Sequence, residues 1–322
     1  MRIAARVERF PLAAAFTISR GSRTEAEVVT VEVEADGLRG RGECVPYARY
    51  GESVASVLDQ IASLPSDIDR ERLQALLPPG AARNAVDCAL WDLEARRAGR
   101  PVWALAGLPE PRPVLTAYTL SLAPPEEMRA AAARAADRPL LKIKLGTPDD
   151  LPRLEAVRAG APQARIIVDA NEGWRAADWA ALAPELARLG VEMAEQPLPA
   201  GEDAALADLP RPVPLCADES CHTRADLDRL AGRYDMVNVK LDKTGGLTEA
   251  IALVREARAR GFEVMIGCMV GSSLAMAPAL LLAPLARIVD LDGPLLLAQD
   301  RPDGLRYEGS LVHPPSAALW GG

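Results

Sequence analysis

LLKIKLG, residues 140–146, decides how the rest of the chain is read. Its aliphatic residues, closing glycine and the Thr147-Pro148-Asp149-Asp150 that follows read as a buried strand ended by a turn. Lysine is among the side chains least often fully buried. Yet Lys142 and Lys144 stand inside this apolar run at i and i+2, which puts both on one face of a strand. Taken alone, the pair reads as the solvated face of an edge strand. The segments on either side turn that reading round.

From residue 114 onward short apolar strands alternate with Ala/Leu/Arg-rich helical stretches such as LPRLEAVRAG and TEAIALVREARARG. The strands read as VLTAYTL (114–120), LLKIKL (140–145), RIIVDA (165–170), VEMAEQ (191–196), VPLCAD (213–218), MVNVKL (236–241), EVMIGCM (263–269) and RIVDLD (287–292). Nearly continuous apolar strands with helical crossovers belong to a parallel sheet covered on both faces. Eight of them predict a TIM-like (β/α)7β barrel. An open doubly wound sheet is the alternative, but no Gly-rich phosphate loop follows the first strand. A closed barrel leaves strand 140–145 no free edge.

Residues 1–112 predict a small α+β domain. VVTVEVEADGLRGRGECVP alternates around an Asp36-Gly37 hairpin turn, and AARNAVDCALWDLEARRAG (81–99) has helical spacing with a stop at Gly99 and Pro101. Two polar stretches read as loops: TISRGSRTEAE (17–27), with Arg20 and Arg23, and PYARYGES (46–53), with Tyr47, Arg49 and Tyr50. LPEPRP (108–113) marks the boundary with the barrel, residues 113–298. The tail, 299–322, is expected to return to the first domain.

Composition narrows the function. A net charge of −8 and a pI near 5.1 argue against nucleic acid or an anionic membrane as partner. Five scattered cysteines without a C-x-x-C pair fit a reducing cytoplasm rather than a disulfide framework or zinc site. Val264 to Ala286 carries no charge and is long enough to cross a bilayer. Gly267, Gly271, Ser272 and Ser273 break it in the middle, so a buried strand, a tight loop and a buried helix explain it better. His222 and His313 are the only histidines, so a general base is expected among Lys, Asp, Glu or Tyr.

In such a barrel the active face lies at the C-terminal ends of the strands. There the sequence places Lys144, Asp169, Glu195, Asp218 and Lys240 on strands 2 to 6, at steps of 22 to 26 residues, and Asp290 and Asp292 on strand 8. Asp169, Glu195 and Asp218 come from neighbouring strands and converge. Three like charges need a cation, and all-oxygen ligation suits Mg²⁺ before Mn²⁺ or Ca²⁺. Strands 2 and 6 are opposite in a ring of eight, so Lys144 and Lys240 face each other across the mouth. A substrate carboxylate on the metal would hold its α-carbon between two amines, which fits proton removal on one face and return on the other. Lys142, beside Lys144, adds positive charge that favours its neutral form. Asp290 and Asp292 either attract a cationic substrate group or cap a loop and make an Asp-Gly turn. Met265, Met269, Met276, Cys216 and Cys268 read as core.

KIK (142–144), VDAN (168–171), EQP (195–197), ADES (217–220) and NVKLDKTGG (238–246) together resemble the enolase superfamily, in its muconate-lactonizing subgroup, over nearly the whole chain. DLDGP (290–294), RGSR (20–23) and PYARYGES make it most similar to the dipeptide epimerases within that subgroup. The resemblance implies an N-terminal capping domain and interconversion of L-Ala-L-Glu and L-Ala-D-Glu, a murein peptide, through an enediolate. It implies Lys144 and Lys240 as acid/base pair, Asp169, Glu195 and Asp218 as Mg²⁺ ligands (Mn²⁺ as second candidate), and Lys142 as support for Lys144 and the substrate carboxylate. Asp290 and Asp292 would hold the dipeptide ammonium, Arg23 rather than Arg20 the glutamate side chain, and Tyr50 would join the substrate pocket. A homo-oligomer is compatible with it. The same barrel also serves N-acylamino acid racemases, o-succinylbenzoate synthases, muconate cycloisomerases and dipeptide epimerases of other side-chain preference. A metal- and ligand-binding barrel without chemistry is the contrasting class, and it has no need of two opposed lysines.

Overall fold

The computed structural model describes residues 1–322. Its N-terminal part is an antiparallel meander of β1 (Arg2–Ile18), β2 (Gly21–Ala35) and β3 (Leu38–Cys44). The β2–β3 turn is Asp36-Gly37, both at positive φ (55° and 77°), which is what a two-residue hairpin of this twist demands. Stretch 17–27, expected as a loop, instead continues the ladder. Phe16 pairs with Arg23, Thr17 with Ser22 and Ile18 with Gly21, so only Ser19-Arg20 turn the chain. The apolar alternation that marks a strand is missing because this hairpin tip leaves its own sheet's core and docks on the barrel.

The helix Ala81–Ala98 lies across the sheet with almost every residue buried. Two glycines of β3 allow that contact: a Cβ on Gly40 would stand 2.1 Å from the Ala89 carbonyl oxygen, and one on Gly42 2.1 Å from that of Ala85. Val29, Val31, Val33, Leu73, Val86 and Leu90 fill the space between them.

The chain then makes a short strand β4 (Val114–Leu115) and eight barrel strands. These are β5 (Tyr118–Leu120), β6 (Leu140–Lys144), β7 (Arg165–Asp169), β8 (Val191–Glu195), β9 (Leu215–Ala217), β10 (Met236–Val239), β11 (Glu263–Ile266) and β12 (Ile288–Val289). They pair in parallel in sequence order. The ring closes where Ala117 N–H donates to the Val289 carbonyl at 2.8 Å. The expected first strand, 114–120, is therefore two. Its first half pairs antiparallel with β14 (Leu311–Val312), which pairs in turn with β13 (Tyr307–Glu308). Ala117, Leu140, Ile167, Met193, Cys216, Met236, Met265 and Ile288, one from each strand position, form an apolar layer inside the barrel.

The tail touches both parts. Besides β13 and β14 at the barrel, Trp320 Nε1 donates to the Cys88 carbonyl at 3.1 Å and Gly321 N–H to Asp92 at 2.9 Å, both on the helix Ala81–Ala98. Arg301 reaches Glu43 of β3 at 2.6 Å and Glu8 of β1 at 2.8 Å. No helix is long and apolar enough to cross a membrane. The uncharged run 264–286 holds β11, a loop and the helix Ser273–Leu280.

Candidate active site

The polar site sits directly above the apolar layer, because inward side chains recur at every second residue. Leu140 is followed by Lys142 and Lys144, Ile167 by Asp169, Met193 by Glu195, and Cys216 by Asp218. In the same phase Met236 leads to Asn238 and Lys240, and Ile288 to Asp290 and Asp292. All of these charged residues and Asn238 are buried. Charges taken from water persist only when paired, and every charged residue here except Asp292 has an oppositely charged partner.

Ligand oxygens of Asp169, Glu195 and Asp218 lie within 4.8 Å of one another. Each carboxylate has one oxygen fixed by a protein donor. Asn171 N–H holds Asp169 Oδ1 at 2.9 Å, Asn238 Nδ2 holds Glu195 Oε1 at 2.6 Å, and Lys243 Nζ holds Asp218 Oδ1 at 2.6 Å. The other oxygens meet ammonium groups: Asp169 Oδ2 with Lys144 at 2.6 Å, Asp218 Oδ2 with Lys240 at 2.6 Å, and Glu195 Oε2 with Lys142 at 2.6 Å. The last contact lacks hydrogen-bond geometry, leaving Glu195 Oε2 a buried acceptor without a donor. Three hard oxygens facing one centre, one of them unsatisfied, fit a divalent hard cation such as Mg²⁺.

Electrostatics follow from these contacts. Burial opposes ionisation of Asp169 and Asp218, but Lys144 with Lys142, and Lys240 with Lys243, outweigh it and hold both carboxyls below the usual range. Glu195 is pushed up to about 7 by burial and by Asp169, against Lys142. Desolvation opposes the charge on Lys142 and Lys240, yet surrounding carboxylates keep both raised, Asp290 foremost for Lys142 and Asp218 for Lys240.

Strands β6 and β10 are four apart in the ring, so Lys144 and Lys240 approach the mouth from opposite sides. A cavity of about 490 Å³ opens between them and is roofed by the N-terminal domain. Lys142, Lys144, Lys240, Asp218, Asp290, Asp292, Tyr50 and Arg23 all line it. Arg23 is half-buried beside the Tyr47 ring, 5.8 Å from its centroid, and makes no ion pair. Arg20 is committed: it lies 2.8 Å from Glu219 and donates to the Asn171 carbonyl at 2.7 Å and to the Tyr47 hydroxyl at 3.0 Å. Tyr50 packs edge-on against His222, centroids 4.5 Å apart.

The strand-8 acids are not a free pair. Asp290 Oδ2 accepts from Lys142 at 2.7 Å, leaving Oδ1 without a partner, and Asp292 Oδ2 accepts from Thr119 N–H at 2.6 Å. Burial and Asp290 push Asp292 up to about 7. Met265 and Cys216 sit in the apolar layer and Met276 in the main core. Met269 and Cys268, expected in the core, line the cavity instead, because they follow the end of β11 where the chain turns over the mouth.

Asn238, Lys243 and Glu219 all stand in the quoted motifs, but the sequence assigns them no role, and Lys240 is preferred to Lys243 as the residue in the matching position. Asn238 was within reach of the same i+2 rule, two residues before Lys240 on an inward phase. A Cβ on Gly267, just past the end of β11, would stand 2.4 Å from its amide oxygen. Lys243 lies in the one-turn helix Leu241–Thr244 and Glu219 on a turn, both beyond the strands, where no periodicity points.

Residues 2–107 match the family model for the mandelate racemase/muconate lactonizing enzyme N-terminal domain, and residues 127–318 that for the enolase C-terminal domain-like family. The chain is 52% identical over 312 residues, 95% of it and 97% of the relative, to an L-Ala-D/L-Glu epimerase of Escherichia coli strain K12. It is 47% identical, covering 92% and 95%, to an N-acetyl-D-glutamate racemase of a Pseudoalteromonas species. Among solved structures it superposes with a TM-score of 0.97 and 54% identity, over 99% of both chains, on an enolase family member from Agrobacterium tumefaciens. That protein is described as having homology to dipeptide epimerases, with bound sodium and L-Ala-L-Glu.

Proposed function

The chain belongs to the mandelate racemase/muconate lactonizing enzyme family of the enolase superfamily and is an isomerase of the dipeptide epimerase type, and from that premise we propose that it interconverts L-Ala-L-Glu and L-Ala-D-Glu. The observation that carries this reading is the pair of lysines on opposite strands with the carboxylate triad between them.

Lys144 and Lys240 exchange the α-proton of the glutamate residue. One amine removes it from one face of the α-carbon, and the opposite ammonium returns a proton to the other, so the centre inverts with no net change in atoms. The amine must be neutral to accept, and the partner charged to donate; the two exchange roles with substrate configuration. Asp169, Glu195 and Asp218 would hold Mg²⁺, with Mn²⁺ as the second candidate, and a cation bound there would supply electrophilic stabilisation to the substrate carboxylate. Lys142 adds positive charge on the same side, tied between Asp290, Glu195 and Asp169. Arg23 pairs with the γ-carboxylate of the substrate; its freedom from any protein carboxylate supports this, whereas Arg20 is already spoken for. Asp290 and Asp292 receive the dipeptide ammonium, and the unpartnered Asp290 Oδ1 is the acceptor best placed in chemistry to do so. Tyr50 completes the wall of the pocket. Five free cysteines suit a reducing cytoplasm, where such a peptide would arise from murein turnover.

A second reading is racemisation of N-acylglutamates, suggested by the Pseudoalteromonas relative and by the neutralising contact of Lys142 on Asp290. The two separate in one assay. With Mg²⁺ in D₂O, L-Ala-L-Glu is expected to acquire α-deuterium and convert to L-Ala-D-Glu much faster than N-acetyl-L-glutamate racemises. The reverse order would transfer the function to acylated amino acids.

A further inference from the structure

The tip of the β1–β2 hairpin seats on the barrel at the residues that follow the base and two of the carboxylates. Ser19 approaches Gly146, just after Lys144, so closely that a glycine Cβ would stand 2.7 Å from the serine Cβ. Ser19 Oγ and Arg20 Nη1 both donate to the carbonyl of Asn171, at 2.9 and 2.7 Å, two residues after Asp169. Arg20 Nη2 pairs with Glu219, next to Asp218. The second cap loop is tied down beside it: Arg49 makes a bidentate pair with Glu172, 2.7 Å on each arm, and Glu172 also lies 3.3 Å from Arg20 and accepts from Ala200 N–H at 2.9 Å. Asn171 and Glu172 hold positive φ, 45° and 66°. Consecutive non-glycine residues in that region persist only where their surroundings hold them.

We propose that Glu172 is a positioning residue, a strained anchor on the barrel rim to which Arg49 and Arg20 latch both cap loops, so that Arg23 and Tyr50 are presented to the substrate. Glu172 neither lines the cavity itself nor belongs to the carboxylate triad, although Arg20 and Arg49, which it holds, both face the cavity. Its carboxylate is nearly enclosed, 7% exposed, while Arg49 is 40% exposed. Bidentate charge-assisted pairing gives the latch both strength and direction. This rests on the dipeptide reading for the identity of the substrate, but the latch itself has a test that needs no turnover.

Trypsin cuts after arginine, and Arg20 and Arg23 lie at the hairpin tip. In Arg49→Gln and Glu172→Gln, cleavage within residues 19–24 is expected to accelerate about tenfold, with thermal unfolding unchanged, because the pair lies at the rim of the fold. In the same variants KM for L-Ala-L-Glu is expected to rise roughly 5- to 10-fold with kcat within about twofold of the parent, the pattern of lost ground-state positioning. Glu172→Asp, which keeps a carboxylate toward both arginines, is expected to retain most of both properties. Unchanged tip cleavage in the single variants, or a fall in kcat with KM constant, would overturn the latch. If no dipeptide is turned over by the parent protein, the dipeptide reading fails, while accelerated tip cleavage would still uphold the latch.

Discussion

Asn238 fixes one oxygen of Glu195 and leaves the other facing the centre of the triad. Replacing it with alanine frees that carboxylate to turn, and such second-layer losses cost 10- to 100-fold in metal affinity in general. Asn238→Ala is accordingly expected to weaken Mg²⁺ binding by about that factor in a calorimetric titration, with turnover largely restored at high metal. Unaltered affinity would remove Asn238 from the account. The triad itself was legible because each acid stands two residues beyond an apolar inward residue. Lys243 was not, since it reaches Asp218 from the short helix Leu241–Thr244 after β10 and no local pattern reports a side chain's partner on another strand. Asp290 shows the complementary limit. Its place at the mouth follows from strand phase, but its pairing with Lys142, six strands earlier in the sequence, needed the closed ring.

At the scale of elements, the contact between β3 and the helix Ala81–Ala98 depends on two missing side chains. Gly40→Ala places a Cβ 2.1 Å from the Ala89 carbonyl oxygen and 2.5 Å from the Leu93 nitrogen, both backbone atoms that cannot step aside alone. Overpacking of this kind costs about 1–3 kcal/mol, so a lowered urea midpoint with an unchanged barrel active site is expected; a wild-type midpoint would contradict the packing described. The helix and the Asp36-Gly37 turn were readable from spacing and turn chemistry. The hairpin tip was not. Its polar composition says loop, and only its docking on Asn171 and Glu219 explains why it stays paired to the end. The split of the first barrel strand has a similar origin, since Val114–Leu115 takes its partner from a tail nearly two hundred residues away.

In the whole molecule the two domains share buried polar groups, and Asp242 is the clearest. It belongs to the barrel, yet accepts hydrogen bonds from Val45 N–H and Asn84 Nδ2 of the cap, each at 2.9 Å. Burial pushes its carboxyl from 3.8 up to about 7, against those two donors. An acid raised in the folded state is still protonated when the unfolded chain has released its proton. Stability is therefore lost as pH climbs from about 4 to about 7. Asp242→Asn keeps an acceptor oxygen for both donors and removes that loss. It should be more stable than the parent at pH 8 by up to about 4 kcal/mol in urea unfolding, with the gain vanishing toward pH 4. A pH-independent difference would contradict this assignment. The barrel, and the gathering of the charged strand ends at its mouth, followed from the alternation of strands and helices and from the inward phase of each strand. The docking of the cap did not, because domain contacts obey no period.

The central claim is that two lysines on opposite strands work one α-carbon from its two faces. It is tested most directly by following α-proton exchange of L-Ala-L-Glu and of L-Ala-D-Glu in D₂O with Mg²⁺, using the parent protein, Lys144→Ala and Lys240→Ala. The parent should exchange and invert both diastereomers. Each variant should lose inversion by several orders of magnitude, as when an essential base is removed, and any residual exchange should be confined to one diastereomer, opposite in the two variants. Inversion surviving in either variant, or no exchange by the parent with either diastereomer, would contradict the account.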